Sequence, residues 1–216
     1  MLPIISFSIF LCVAPALALW PLPRQISTGT TALTLAPGFN INLSGVKYAP
    51  KDLTDAVERT ESFLKNDKLQ ALVVDRGASS AGVIGAAKSL HSLTVSLVFS
   101  SPVKSISEEA VAPLESRVEG YTLTVPADGS DAVLQANSTL GLLRGLTTFG
   151  QLWYDLNGST YTLEAPFNIV DSPAYVRPLN FIFGAHFHQP IVALPRLHVG
   201  HSQELVSDTW GIVCHD

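Results

Sequence analysis

Apolar residues fall at two periods along this chain, and the alternation between them sets out the elements. Thr31–Leu35 and Phe39–Leu43 read as short strands joined by a turn at Ala36-Pro37-Gly38, where proline presets one backbone angle and glycine frees the next. From Lys51 to about Asn66, Leu53, Ala56, Val57, Thr60, Phe63 and Leu64 recur at helical spacing, with Asp52, Asp55, Glu58, Arg59 and Lys65 on the other faces. Leu69–Asp75 reads as a buried strand, and Leu93–Phe99 alternates cleanly with one face for a core. Tyr121, Leu123 and Val125 alternate with threonines; Ala127-Asp128-Gly129-Ser130 then turns the chain into Ala132–Ala136, which predicts an antiparallel hairpin.

A second helix is predicted over about Thr139–Tyr154, with Asn137 or Ser138 as its N-cap. Leu142, Leu146, Phe149 and Trp153 form its stripe. Gly141 and Gly145, four apart, each cost up to about 1 kcal/mol of helix stability against alanine, and such a pair lets a neighbouring backbone come close. Tyr161, Leu163, Ala165, Phe167 and Ile169 alternate as a last strand. The pattern predicts an α+β fold: a mostly antiparallel sheet with about two packed helices.

The start of the chain changes the picture of where it works. An apolar stretch runs from Leu2 to Val13, and Ala16-Leu17-Ala18 offers the small-residue pattern of a cleavage site. Residues 1–18 therefore read as a secretory signal, too short to span a bilayer, and the protein is expected to be secreted. No other stretch approaches the roughly 20 apolar residues of a transmembrane helix, so no membrane association is expected after cleavage. Cys12 leaves with the signal, which makes Cys214 the one thiol of the mature chain and excludes an internal disulfide. Asn42-Leu43-Ser44, Asn137-Ser138-Thr139 and Asn157-Gly158-Ser159 are acceptor sequences that make Asn42, Asn137 and Asn157 the expected glycosylation sites. A net charge of −5 with 14% charged residues gives no electrostatic footprint for nucleic acid or an anionic membrane.

Motifs with chemistry are few. Gly82-Val83-Ile84-Gly85-Ala86-Ala87-Lys88-Ser89 comes near a phosphate-binding loop, but Ala87 stands where the second glycine is needed, and a small-residue loop and helix is the better reading. Asp52/Asp55, Glu58/Glu61 and Glu108/Glu109 read as solvated pairs, and Glu164 and Asp171 as a solvated strand edge. His186, His188, His198, His201 and His215 crowd the tail beside Cys214, but prolines interrupt them and no carboxylate is placed to orient them. No catalytic, cofactor-binding or metal-ligating residue is assigned.

Leu19-Trp20-Pro21-Leu22-Pro23, Tyr121-Thr122-Leu123-Thr124-Val125, Gly141-Leu142-Leu143-Arg144-Gly145-Leu146-Thr147-Thr148-Phe149-Gly150-Gln151-Leu152 and Ile169-Val170-Asp171-Ser172-Pro173-Ala174-Tyr175 resemble the N-terminal domain of secreted fungal β-N-acetylhexosaminidases, glycoside hydrolase family twenty. The resemblance implies a non-catalytic α+β domain (zincin-like) over 19–175, followed in the family by a TIM barrel that hydrolyses terminal N-acetylhexosamine residues. In those enzymes the substrate's own acetamido group is the nucleophile, and an Asp-Glu pair assists. This sequence has no Asp-Glu dipeptide, and 45 residues follow Asp171 where a barrel needs at least about 200. Arg177 precedes Pro178 rather than the family's glycine, so it does not inherit the substrate-binding role of the family's arginine.

The resemblance thus implies a signal (1–18), a barrel-supporting domain (19–175) and a divergent tail (176–216) expected to be disordered. That tail reads either as an artefact of splicing or of a mis-joined gene, or as a genuine short isoform. The function expected is that of a truncated, inactive hexosaminidase-like protein, whose natural partner is the missing barrel and whose barrel-facing surface is open to self-association. A stand-alone glycan- or protein-binding module is the alternative, and a metal-binding protein using the tail histidines a third.

Overall fold

A computed structural model describes residues 19–67, 76–98 and 103–172. Among these described residues, six strands and four helices build an α+β domain: β1 (Gln25–Gly45), α1 (Lys51–Asn66), α2 (Ala81–Gly85), β2 (Lys88–Leu97), α3 (Ile106–Ala110), β3 (Tyr121–Val125), β4 (Ala132–Ala136), α4 (Thr139–Gln151), β5 (Tyr154–Leu156) and β6 (Ser159–Asp171). No TIM barrel lies among them. The strand order is β1-β2-β4-β3-β6-β5, and the N-terminal half of β1 also pairs β6. Pairs joined by tight turns, β3–β4 and β5–β6, are antiparallel, as are β3–β6 and β1–β6. The pairings β1–β2 and β2–β4 are parallel, since the connections that separate them are long enough to cross over.

The hairpin stands where the sequence puts it. Tyr121 and Leu123 are buried opposite Ala136 and Leu134, and the Asp128 carboxylate accepts hydrogen bonds from the Ser130 N–H (3.0 Å) and hydroxyl (2.6 Å) across the turn. β2 starts five residues before the expected Leu93, because Lys88–Leu90 already pair with β1. The expected strand Leu69–Asp75 lies outside the described residues, as do the signal (1–18), 173–175 and the tail (176–216).

The predicted turn at Ala36-Pro37-Gly38 is not a turn. β1 continues through it, and both halves pair the same parallel strand: Leu35 faces Leu90 and Asn40 faces Ser92. Residues 36–39 therefore bulge opposite His91 alone. A proline without an N–H and a glycine fit an unpaired bulge as well as they fit a reversal. The bulge places Phe39 in the core, stacked on Phe149 at 5.8 Å between ring centroids, and Phe149 meets Trp153 edge-on at 5.6 Å.

The second helix ends earlier than predicted. α4 stops at Gln151; Trp153 is fully buried outside it, and Tyr154 opens β5. The burial stripe carries on past the end of the helix, which is why periodicity overran it. At the other end Ser138 is the N-cap, its hydroxyl accepting from Gly141 N–H at 2.9 Å and donating to the Val118 carbonyl. The glycines do what their spacing implies. A methyl on Gly141 would stand 2.6 Å from the Gly120 carbonyl oxygen, and one on Gly145 would run into the Leu134 side chain. α4 thereby lies directly on β3 and β4.

Candidate interaction surface

α1 and α4 pack against each other, and α4 rests on β2, β3 and β4. Leu53, Ala56, Val57 and Leu64 turn α1 toward the core. Phe63, read from the sequence as part of that stripe, points away from it and is 42% exposed. Its ring lies against Gly150 of α4, where an added methyl would come to 3.6 Å. Together with Ala56, Leu143 and Leu146 it lines an open groove of about 310 Å³ between the two helices, with Arg59 and Gln151 on the lining and no described acidic residue. Gln151 also holds the N-terminal arm: its Oε1 accepts from Trp20 N–H at 2.7 Å and its Nε2 donates to the Trp20 carbonyl at 3.0 Å. The Trp20 side chain is left 84% exposed. An apolar helix face flanked by uncovered aromatic rings is what a protein interface looks like before its partner arrives.

A second, smaller cavity opens beside β5 and β6. Arg76 lies over the Tyr154 ring at 4.3 Å, Tyr154 and Tyr161 face each other across the strands at 6.0 Å, and Ser79, Ser80, Leu163 and Glu164 complete a space of about 260 Å³. Gly77 has φ +83°, and a side chain there would collide with the Tyr161 hydroxyl. Burial raises the Glu164 pKa above the usual carboxylate range, with Arg76 opposing it; burial likewise raises Tyr161. Sequence pattern hides this cluster, because Arg76 and Glu164 are far apart in the chain and Tyr154 reads as helix.

The sequence profile of the family described as beta-acetyl hexosaminidase like matches residues 19–152 of this chain. The chain belongs to that family. Beta-hexosaminidase 3 of Arabidopsis thaliana is 30% identical over 166 residues, covering 74% of this chain and 28% of the relative. Beta-hexosaminidase subunit beta of Homo sapiens is 31% identical over 165 residues, covering 74% and 27%. The chain thus spans under a third of the length of these hexosaminidases. Among solved structures, the Flavobacterium johnsoniae chitobiase is similar over 72% of this chain and 21% of its own, with a TM-score of 0.45 and 20% identity.

Within this hexosaminidase-like domain the carboxylates read as solvated act largely as pins between elements. Asp52 of α1 accepts from the Ser107 N–H (2.9 Å) and hydroxyl (3.0 Å); burial works against its charge, but these donors hold its pKa below the usual value. Glu61 accepts from the Ile41 N–H at 2.6 Å. Glu108 closes a capping box with Ser105, and its neighbour Glu109 reaches the start of α4, accepting from Leu140 N–H at 2.7 Å and the Thr139 hydroxyl at 3.0 Å. Asp171 accepts from Arg24 N–H at 3.2 Å. Asp55 pairs with Lys51 at 2.7 Å in the manner of an exposed helix pair.

The phosphate-loop look-alike is divided between a short helix, α2, and β2, so Lys88 and Ser89 stand in a strand rather than at a helix start. Asn42, Asn137 and Asn157 are exposed, Asn157 at φ +52° in the β5–β6 turn. Arg177, the five tail histidines and Cys214 lie outside the described residues. Among the described residues, no group of three or more His, Cys, Asp or Glu could hold a metal ion, and no helix is long and apolar enough to cross a membrane.

Proposed function

We propose that residues 19–175 form a non-catalytic domain that supports a hexosaminidase barrel, and that the groove between α1 and α4 is the face it offers to that barrel. The groove carries the reading: it is apolar, it exposes Phe63, and both of its helices fall within the 19–152 family match. In this reading the family's chemistry, hydrolysis of terminal N-acetylhexosamine residues, belongs to the barrel, and this chain alone is inactive. The absence of an Asp-Glu dipeptide supports that inactivity. Secretion is part of the same proposal, resting on the apolar stretch of 1–18 and on the exposed acceptors Asn42, Asn137 and Asn157.

An uncovered docking face leads to self-association. Sedimentation velocity of the purified chain is expected to show reversible, concentration-dependent association that Phe63→Asp abolishes. A parent chain that stays monomeric at every concentration, or a Phe63→Asp variant that associates as strongly as the parent, contradicts the assignment of this groove. A stand-alone glycan-binding module is the second reading, favoured by the cavity beside Tyr154 and Tyr161.

A further inference from the structure

The turn between β5 and β6 is made by Asn157 and Gly158, which link the paired residues Leu156 and Ser159. Both have positive φ, +52° and +85°, the backbone form that a two-residue hairpin turn of this kind needs and that asparagine and glycine supply. Both are exposed. They form the one Asn-Gly dipeptide of the sequence. The pair also sets two reactive groups side by side, the Asn157 side-chain amide carbon (Cγ) and the Gly158 backbone nitrogen. A bond between them closes a five-membered ring, and groups tethered so closely react far more readily than separate molecules. A Cβ on Gly158 would meet no atom within 4 Å, so the ring has room to form.

We propose that Asn157-Gly158 is a site of spontaneous deamidation and that Asp155 restrains it. The Gly158 nitrogen attacks Cγ of Asn157: the N–Cγ bond forms, the Cγ–Nδ2 bond breaks, and Nδ2 leaves as ammonia with the proton that the Gly158 nitrogen gives up. Water then opens the succinimide at either of its two carbonyl carbons, leaving aspartate or isoaspartate at position 157. Isoaspartate adds a methylene to the backbone of the turn, next to the register in which Leu156 meets Ser159 and Tyr154 meets Tyr161. Conversion also removes the amide that a glycan at Asn157 would need.

The restraint lies at the nucleophile. The Asp155 carboxylate accepts the Gly158 N–H, at 3.1 Å to Oδ1 and 3.4 Å to Oδ2. Attack requires that N–H to shed its proton. A charge-assisted hydrogen bond holds the proton in place, and the negative charge beside it disfavours the amide anion that its loss would leave. Asp155 is therefore a positioning residue, acting through Gly158 and not on the reacting carbon. The site shares no residue with the α1–α4 groove and does not rest on the docking proposal.

The test uses the full chain made in a bacterial host that adds no N-linked glycan, held at mildly alkaline pH and sampled by peptide mass spectrometry and isoaspartyl methyltransferase labelling. Conversion is expected at Asn157, with ammonia released and isoaspartate accumulating, while Asn42, followed by Leu43 within β1, stays intact. Asp155→Asn, close in shape but uncharged, is expected to convert about fivefold faster or more, as loss of a hydrogen bond to a charged group implies. Hydrogen exchange of the Gly158 N–H passes through the same deprotonation and should speed up by a similar factor, with the amides of the β5–β6 ladder unchanged. An intact Asn157 in both chains, conversion of Asn42 as fast as that of Asn157, or equal rates in parent and variant would each overturn the proposal. So would acceleration that comes only with opening of the ladder.

Discussion

Replacing Gly141 with alanine sets helix propensity against packing, and the geometry decides which prevails. Alanine inside a helix gains up to about 1 kcal/mol over glycine. At this position the new methyl would lie 2.6 Å from the Gly120 carbonyl oxygen and 3.0 Å from the Ala136 Cβ. Neither neighbour is the free end of a flexible side chain, so α4 itself has to move off β3 and β4. Overpacking of this kind costs about 1–3 kcal/mol. The shift also strains the cap, in which Gly141 N–H meets the Ser138 hydroxyl at 2.9 Å.

The net expectation is a loss of about 1–2 kcal/mol, or a fall of roughly 2–8 °C in the thermal midpoint of a domain this size. Gly82→Ala in α2 is the matched control. Nothing lies within 4 Å of its added methyl, so that variant should be neutral or slightly more stable. Far-UV circular dichroism melts of the two variants and the parent give the comparison. Should Gly141→Ala match or exceed the stability of the parent, the close approach of α4 to the sheet would be wrong.

Tyr121, whose hydroxyl lies 2.6 Å from that of Thr148, has its pKa pushed up by burial to about 12, so folding favours its protonated form. Its contribution is complete below the unfolded value near 10 and is lost as pH rises toward 12; urea midpoints should fall across that window in the parent and more shallowly in Tyr121→Phe. Glu109→Ala removes the acceptor for the Leu140 N–H and the Thr139 hydroxyl at the start of α4, and denaturant titration should register a loss of about 1–2 kcal/mol, with no loss pointing to solvent as an equal partner. Glycosidase treatment of the chain expressed in a eukaryotic secretory host should collapse a set of slower bands, and Asn42→Gln, Asn137→Gln and Asn157→Gln should each remove one; unchanged mobility in all three would refute the proposed secretory glycosylation.

What the sequence disclosed was local. The β3–β4 hairpin was legible because Asp128-Gly129-Ser130 and the alternation around it act within 16 residues, and α1 because its apolar period matches one exposed and one buried face. The Ala36–Gly38 bulge was not, since proline and glycine mark a break in pairing without saying whether the chain reverses. Parallel pairing of β1, β2 and β4 leaves no trace in a period of two. Phe63 belongs to the apolar stripe of α1 by spacing, and only the position of α4 shows that it lies at the rim of a groove. Glu164 read as an ordinary strand carboxylate until Arg76, nearly ninety residues away in sequence, was brought beside it.

The central proposal is that this hexosaminidase-like domain supports chemistry it does not itself perform. Incubating the purified chain with p-nitrophenyl N-acetyl-β-glucosaminide and following release of nitrophenolate tests it directly. The expected result is no release above the uncatalysed background at any protein concentration. Turnover that scales with the amount of chain and survives further purification would contradict the account.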